Sequence, residues 1–235
     1  MKKTLLFVLL AVASAPAAFA QARPGGSESS KDYTGGGTTD SRNTGFGVKG
    51  GYNLNGLRGD DIKAIGSSAS IDRNSRSDFH VGMYGQFGIS EFSSLQAELL
   101  YSRQGFTANT GGTPTAPTAQ TYRMDYIALP IMYVGNFTET LSFHVGPQVS
   151  LLTNLREGGS VLDIKENGFN SLDYGGVAGL EARVGPARIG ARYNLSLGKV
   201  FEDGPSATGK VASRFGNSKI YNNMVQLYVG IGLTQ

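Results

Sequence analysis

The stretch Val225-Gln226-Leu227-Tyr228-Val229-Gly230-Ile231-Gly232-Leu233 decides how the rest of the chain is read. Val, Leu, Val, Ile and Leu occupy every second position, and Gln, Tyr and two Gly fill the alternate ones. A period of two belongs to an extended strand, whose successive side chains point to opposite faces. A helix would space its apolar residues three and four apart, and this stretch does not.

The same alternation recurs in seven earlier segments, starting at Gly45. The first sets Phe46, Val48, Tyr52 and Leu54 against Lys49, Gly51 and Asn53. The second sets Phe79, Val81, Met83, Phe87 and Ile89 against His80, Gly82, Tyr84, Gln86 and Gly88. The third sets Leu95, Ala97, Leu99 and Tyr101 against Gln96, Glu98 and Ser102. The fourth, Tyr122 to Val134, carries Ile127, Leu129, Ile131 and Tyr133 on its apolar face, and Pro130 predicts a bulge there because it cannot donate to the ladder. The fifth opposes Leu141, Phe143, Val145, Val149 and Leu151 to Ser142, His144, Gly146, Gln148 and Ser150. The sixth opposes Ala178, Leu180, Ala182 and Val184 to Gly179, Glu181 and Arg183. The seventh opposes Ile189, Ala191, Tyr193, Leu195 and Leu197 to Arg188, Gly190, Arg192, Asn194 and Ser196. Each segment runs about ten residues, the length a tilted strand needs to cross a bilayer. Strands of soluble proteins are usually nearer five or six.

The connections sort by length. Long polar stretches, Asn55–Ser77, Thr107–Thr121, Thr153–Leu172 and Lys199–Lys219, follow the odd segments. Short turns, Ser90–Ser93, Gly135–Thr140 and Gly185–Pro186, follow the even ones. Outer-membrane barrels have this arrangement, with long extracellular loops and short periplasmic turns. The sequence therefore predicts an all-β fold: an eight-stranded antiparallel up-and-down transmembrane barrel over residues 45–235.

What precedes Gly45 agrees with export. Residues 1–20 read as a signal peptide, with Lys2 and Lys3 before the apolar run Leu5 to Ala13 and the small-x-small site Ala18-Phe19-Ala20. Residues 21–44 hold almost nothing to bury and read as a flexible periplasmic leader. Removing the signal peptide lowers the formal charge of +3 by two, to +1. No Lys/Arg cluster remains, so nucleic acid is not an expected partner. There is no cysteine, hence no disulfide framework.

A barrel in lipid turns its apolar face outward and its polar face to the lumen. The expected inward set includes Lys49, Gln86, Glu98, Gln148, Glu181, Arg183, Arg188 and Arg192. Opposite charges in so narrow a lumen should pair, because an unpaired buried charge is costly. Tyr52, Phe79, Tyr101 and Tyr221 lie towards the long loops, and Phe46, Phe87, Tyr133 and Phe143 towards the short turns. Two such bands fit the aromatic girdles of membrane barrels.

Several motifs resemble one family. Leu95-Gln96-Ala97-Glu98-Leu99-Leu100-Tyr101-Ser102-Arg103-Gln104-Gly105 resembles the third-strand signature of the PorT-like outer-membrane β-barrel proteins of Bacteroidetes-type bacteria. Tyr126-Ile127-Ala128-Leu129-Pro130, Gly146-Pro147-Gln148, Asp173-Tyr174-Gly175, and Ala191-Arg192-Tyr193-Asn194 followed by Leu197 resemble its later strands in order. The resemblance implies a bacterial outer-membrane location and a cell-envelope role, with secretion as the association of the name-giving member.

Chemistry is sparse. The chain has two histidines, His80 and His144, expected near opposite ends of the barrel and so unable to share a site. A site at His80 with Asp78 defines the alternative function, an outer-membrane lipid-modifying hydrolase. Asp60, Asp61 and Asp72 are solvated loop charges that could hold a cation weakly. No catalytic residue, cofactor site or metal site is assigned. The expected function is non-enzymatic, with outer-membrane lipid and envelope or secretion-system proteins as partners.

Overall fold

The computed structural model describes residues 43–59, 70–72, 76–113, 116–201 and 219–233. Residues 1–42, which hold the expected signal peptide and all but the last two residues of the expected leader, and Asp60 and Asp61 lie outside the described residues, and of Asp72 only the backbone is described. The described residues form ten strands. They are β1 (Gly45–Arg58), β2 (Ser70–Asp72), β3 (Arg76–Ser90), β4 (Ser93–Thr113), β5 (Ala116–Asn136), β6 (Leu141–Glu157), β7 (Ser160–Leu162), β8 (Leu172–Val184), β9 (Ala187–Lys199) and β10 (Tyr221–Gly232).

Eight of these close a ring. The antiparallel order runs β4-β3-β1-β10-β9-β8-β6-β5, and β5 pairs back with β4. The closing seam joins β1 to β10 without a register shift, from Gly47 opposite Gly232 to Arg58 opposite Tyr221. Closure satisfies every strand edge, which hydrocarbon would otherwise leave without hydrogen-bond partners. The three-residue strands β2 and β7 lie outside the ring as ribs on the extended ends of β4 and β6.

The faces are those the alternation predicts. Val229 is 61% exposed and Ile189 60%, whereas Gln226 and Glu98 are each 1% exposed. With lipid outside, the first group is the membrane face and the second is the lumen. At the periplasmic turns Tyr133 and Phe143 have ring centroids 5.9 Å apart, and at the other rim Phe79 and Tyr101 are also 5.9 Å apart. The tightest turn is Gly185-Pro186 between β8 and β9, with Val184 opposite Ala187. Gly185 sits at φ +59°, a left-handed conformation that a two-residue hairpin needs at its first central residue.

Three local features differ from the sequence reading. Thr107–Thr121, read as a polar connection, is mostly strand: β4 and β5 stay paired out to Thr113 opposite Ala116. Pro130 causes no bulge, since its register with β6 is unchanged from Pro130 opposite Gln148 to Tyr133 opposite Val145. The register shift between β5 and β6 falls instead at Asp125 and Tyr126, where Thr153 of β6 is the extra residue. Finally, Asn43 and Thr44, the last two residues of the expected leader, are tied to the barrel. Asn43 is fully buried; its amide donates to Ser90 O at 3.0 Å and Glu91 O at 2.7 Å, and its Oδ1 accepts from Asn136 at 2.8 Å. The Gly88 amide donates to Thr44 Oγ1 at 3.1 Å. This satisfies the turn carbonyls between β3 and β4 and joins that turn to the end of β5.

Candidate functional site

The lumen gathers six charged side chains of the described residues away from water. Strand alternation aims Lys49 of β1, Glu98 of β4, Glu181 of β8, Arg183 of β8, and Arg188 and Arg192 of β9 inward. Glu98 lies between two cations: Lys49 Nζ is 2.5 Å from Oε1 and Arg192 Nη1 is 2.7 Å from Oε2. Glu181 Oε1 is 3.3 Å from both Arg183 Nε and Arg188 Nη1, and its Oε2 accepts from Tyr228 Oη at 3.1 Å. The four cations outnumber the two carboxylates, and neutral acceptors take up some of the remaining donors, though Arg192 Nη2 is buried with no hydrogen-bond partner among the described residues. Gln86 Oε1 accepts from Arg188 at 2.7 Å, and Gln226 Oε1 accepts from Arg192 Nε at 2.6 Å. Lys49 Nζ also lies 4.2 Å from the Tyr228 ring centroid, and the Arg188 guanidinium 4.5 Å from that of Tyr84. The Tyr228 ring fits because Gly190, its partner on β9, has no side chain; a Cβ there would overlap the ring.

Above this network the lumen becomes apolar. Phe106, Tyr122, Met124, Tyr126, Leu152, Leu155, Phe169, Val200, Phe201 and Ile220 form one buried cluster. Phe169 and Phe201 meet in a tilted arrangement at 4.9 Å between centroids, and Phe106 stacks on Tyr122 at 5.0 Å. The residues around Phe169 and Phe201 come from the long connections, and Asn170 fastens them: its backbone N–H donates to Val200 O at 2.9 Å and its amide to Lys199 O at 2.8 Å. Between network and cap, the polar pocket lined by Gln104, Gln148, Asp173, Asn194 and Ser196 holds about 20 Å³, the space of about one ordered water. Ser196 donates to Asp173 within it.

The sequence reading foresaw the ion pairs. It missed the cap, because period-two alternation does not forecast an apolar inner face on the outer half of β5 and β6. The available signal was weak: Phe169 and Phe201 are single large aromatic residues in otherwise polar connections.

Neither histidine stands in a hydrolytic arrangement. His80 is buried at 1% exposure, and its Nδ1 is 2.7 Å from Asn53 Oδ1. His144 meets Ser142 Oγ at 3.2 Å and Glu181 Oε1 at 3.8 Å, but both through the same Nε2. A Ser–His–acid relay needs the hydroxyl on one ring nitrogen and the acid on the other. Among the described residues no cluster of three or more His, Asp or Glu is placed to hold a metal ion.

The closed ring, its apolar exterior and its ion-paired interior define a small integral β-barrel of the bacterial outer membrane. Residues 19–202 match the outer membrane protein beta-barrel domain family, and the chain belongs to that family. The comparison with curated proteins finds no match. Among solved structures the chain is similar to Ail, the attachment invasion locus protein of Yersinia pestis, at 11% identity over 81% of this chain and 99% of that one, with a TM-score of 0.44. Neisserial surface protein A is similar at 17% identity over 79% and 96%, TM-score 0.46. OprG from Pseudomonas aeruginosa is similar at 13% identity over 82% and 96%, TM-score 0.38. The fold itself rests on the ring of strand pairings described above.

Proposed function

We propose that this protein is a non-enzymatic outer-membrane barrel whose extracellular extension presents a binding surface to an envelope protein. The PorT-like motifs of the third to seventh segments make a secretion-associated role the specific form of that reading. The observation that carries the proposal is the filled lumen. Glu98 and Arg192 join strands on opposite sides of the ring, and the Phe169–Phe201 cluster covers them. The pocket between network and cap has room for about one ordered water, which favours a working surface on the outside. There β4, β5 and β6 project past the membrane belt as a paired sheet with β2 and β7 on its flanks.

Co-purification from outer membranes tests this reading. Full-length protein should retain a stoichiometric partner that is lost when residues 107–121 are replaced by a short turn, while the barrel still inserts. Retention of the same partner without the hairpin would move the surface elsewhere. Loss of a lipid modification in a His80→Ala strain would favour the hydrolase instead.

A further inference from the structure

The outer surface of β4, β5 and β6 changes character in one step. Tyr101, Ile127 and Leu151 are lateral neighbours and form the last apolar row at the extracellular end. The next outward row is Arg103, Asp125 and Asn154, and the one beyond is Gly105, Arg123 and Arg156. Two residues along a strand advance ~7 Å. The guanidinium groups therefore stand just above the apolar belt, at the depth of lipid headgroups.

The arginines of these rows are not equivalent. Arg103 is engaged within the protein: Nε donates to Asp125 Oδ1 at 2.9 Å and Nη2 to Tyr101 Oη at 3.0 Å. Asp125 also accepts from Asn154 at 3.0 Å. Arg123 and Arg156 lie directly opposite each other across β5 and β6. Neither meets a carboxylate among the described residues, and the Nε of each is buried with no hydrogen-bond partner. Like charges directly opposite in a sheet repel. An anion held between them would reverse that repulsion and use the orphaned donors. Phosphate suits the place, because the guanidinium fork matches its oxygens two at a time.

We propose that Arg123 and Arg156 bind the phosphate of an outer-leaflet lipid headgroup, whose acyl chains descend over Ile127 and Leu151. The lipid, rather than a soluble anion, follows from the apolar row directly below the pair and from the membrane location of the barrel. The Asp125 shift in register is what creates the site. The extra residue, Thr153 of β6, brings Arg156 level with Arg123 on the outer face and turns Leu155 inward to join Met124 in the cap.

Native mass spectrometry of the full chain in detergent tests the proposal, with diphosphorylated lipid A, the same lipid after dephosphorylation, and inorganic phosphate as probes. The wild type should retain the phosphorylated lipid. Arg123→Gln with Arg156→Gln should weaken retention about tenfold or more, the loss expected for charge-assisted hydrogen bonds to phosphate. Lys165→Gln, which removes a charge from an exposed extracellular position, should bind as wild type does. Unchanged retention by the double variant would overturn the proposal, as would equal retention of dephosphorylated lipid. Inorganic phosphate that displaces the lipid at equal concentration would overturn the lipid assignment. If the double variant does not fold, Arg156→Gln alone carries the test, since it halves the site while relieving the repulsion.

Discussion

Glu98 on β4 and Arg192 on β9 sit four strands apart whichever way the ring is followed, yet their side chains meet at 2.7 Å. That contact is a chord across the whole lumen, and Lys49 shares the same carboxylate at 2.5 Å. Glu98→Gln would leave two cations buried without their counter-charge. Breaking a buried pair from one side costs about 3–5 kcal/mol. Urea unfolding of the refolded barrel, followed by far-ultraviolet circular dichroism, should show that loss. Adding Lys49→Met to Glu98→Gln should restore part of it, since the two side chains are coupled. An unchanged midpoint for Glu98→Gln would mean that water reaches the network.

The lipid face makes a different demand. Val229 points outward near the middle of β10, between Leu227 and Ile231, and Gln226 points inward to Arg192, Asn194 and Asn53. Val229→Arg should cost ~2–4 kcal/mol in a bilayer, because the charge leaves water at mid-depth. In a small-micelle detergent, where water is close, the penalty should shrink. A penalty that is the same in both media would argue that Val229 does not face lipid.

The apolar cap predicts a core-like response in a region that reads as loop. Phe169 and Phe201 are both essentially fully buried and pack against each other with their rings tilted. Phe169→Ala or Phe201→Ala should cost about 3–5 kcal/mol, the range for removing a ring from a packed core. The same variants should raise hydrogen exchange of the Asn170 amide, whose bond to Val200 O depends on that packing. Wild-type protection of Asn170 in either variant would show that the cap is held by something other than the ring pair.

How far the sequence carried the fold follows from what alternation can encode. It records which side of the wall a residue occupies, so strand number, closure and the inward set including Lys49, Glu98 and Arg192 were legible. It does not record what sits across the lumen. The pairing of Glu98 with Arg192 depends on the stagger of strands that are distant in sequence. The cap was hidden for a related reason: Tyr122 and Met124 keep the inward parity of β5, but alternation does not say that an inner face turns apolar, and Leu155 faces inward only because of the β6 bulge at Thr153, where the period of two is broken. The same bulge hid the opposition of Arg123 and Arg156. Pro130 misled in the other direction. A missing N–H suggested a bulge, but the register there holds without one.

The β1–β10 seam is the contact on which the barrel depends, because an open edge in hydrocarbon would leave a row of unpaired backbone groups. Val48 lies opposite Ile231, both on the outer face. Directly opposed residues in an antiparallel pair have Cα atoms ~4.5–5.5 Å apart, within reach of a disulfide. The chain has no cysteine of its own, so Val48→Cys with Ile231→Cys gives a clean background. Mild oxidation of the membrane-inserted double variant should cross-link it within the monomer and change its mobility on a non-reducing gel. Val48→Cys with Val145→Cys should not cross-link within the chain, because β6 is on the far side of the ring from β1. A cross-link in the second pair, or none in the first while each single variant reacts readily with a thiol reagent, would show that β1 and β10 do not close the wall.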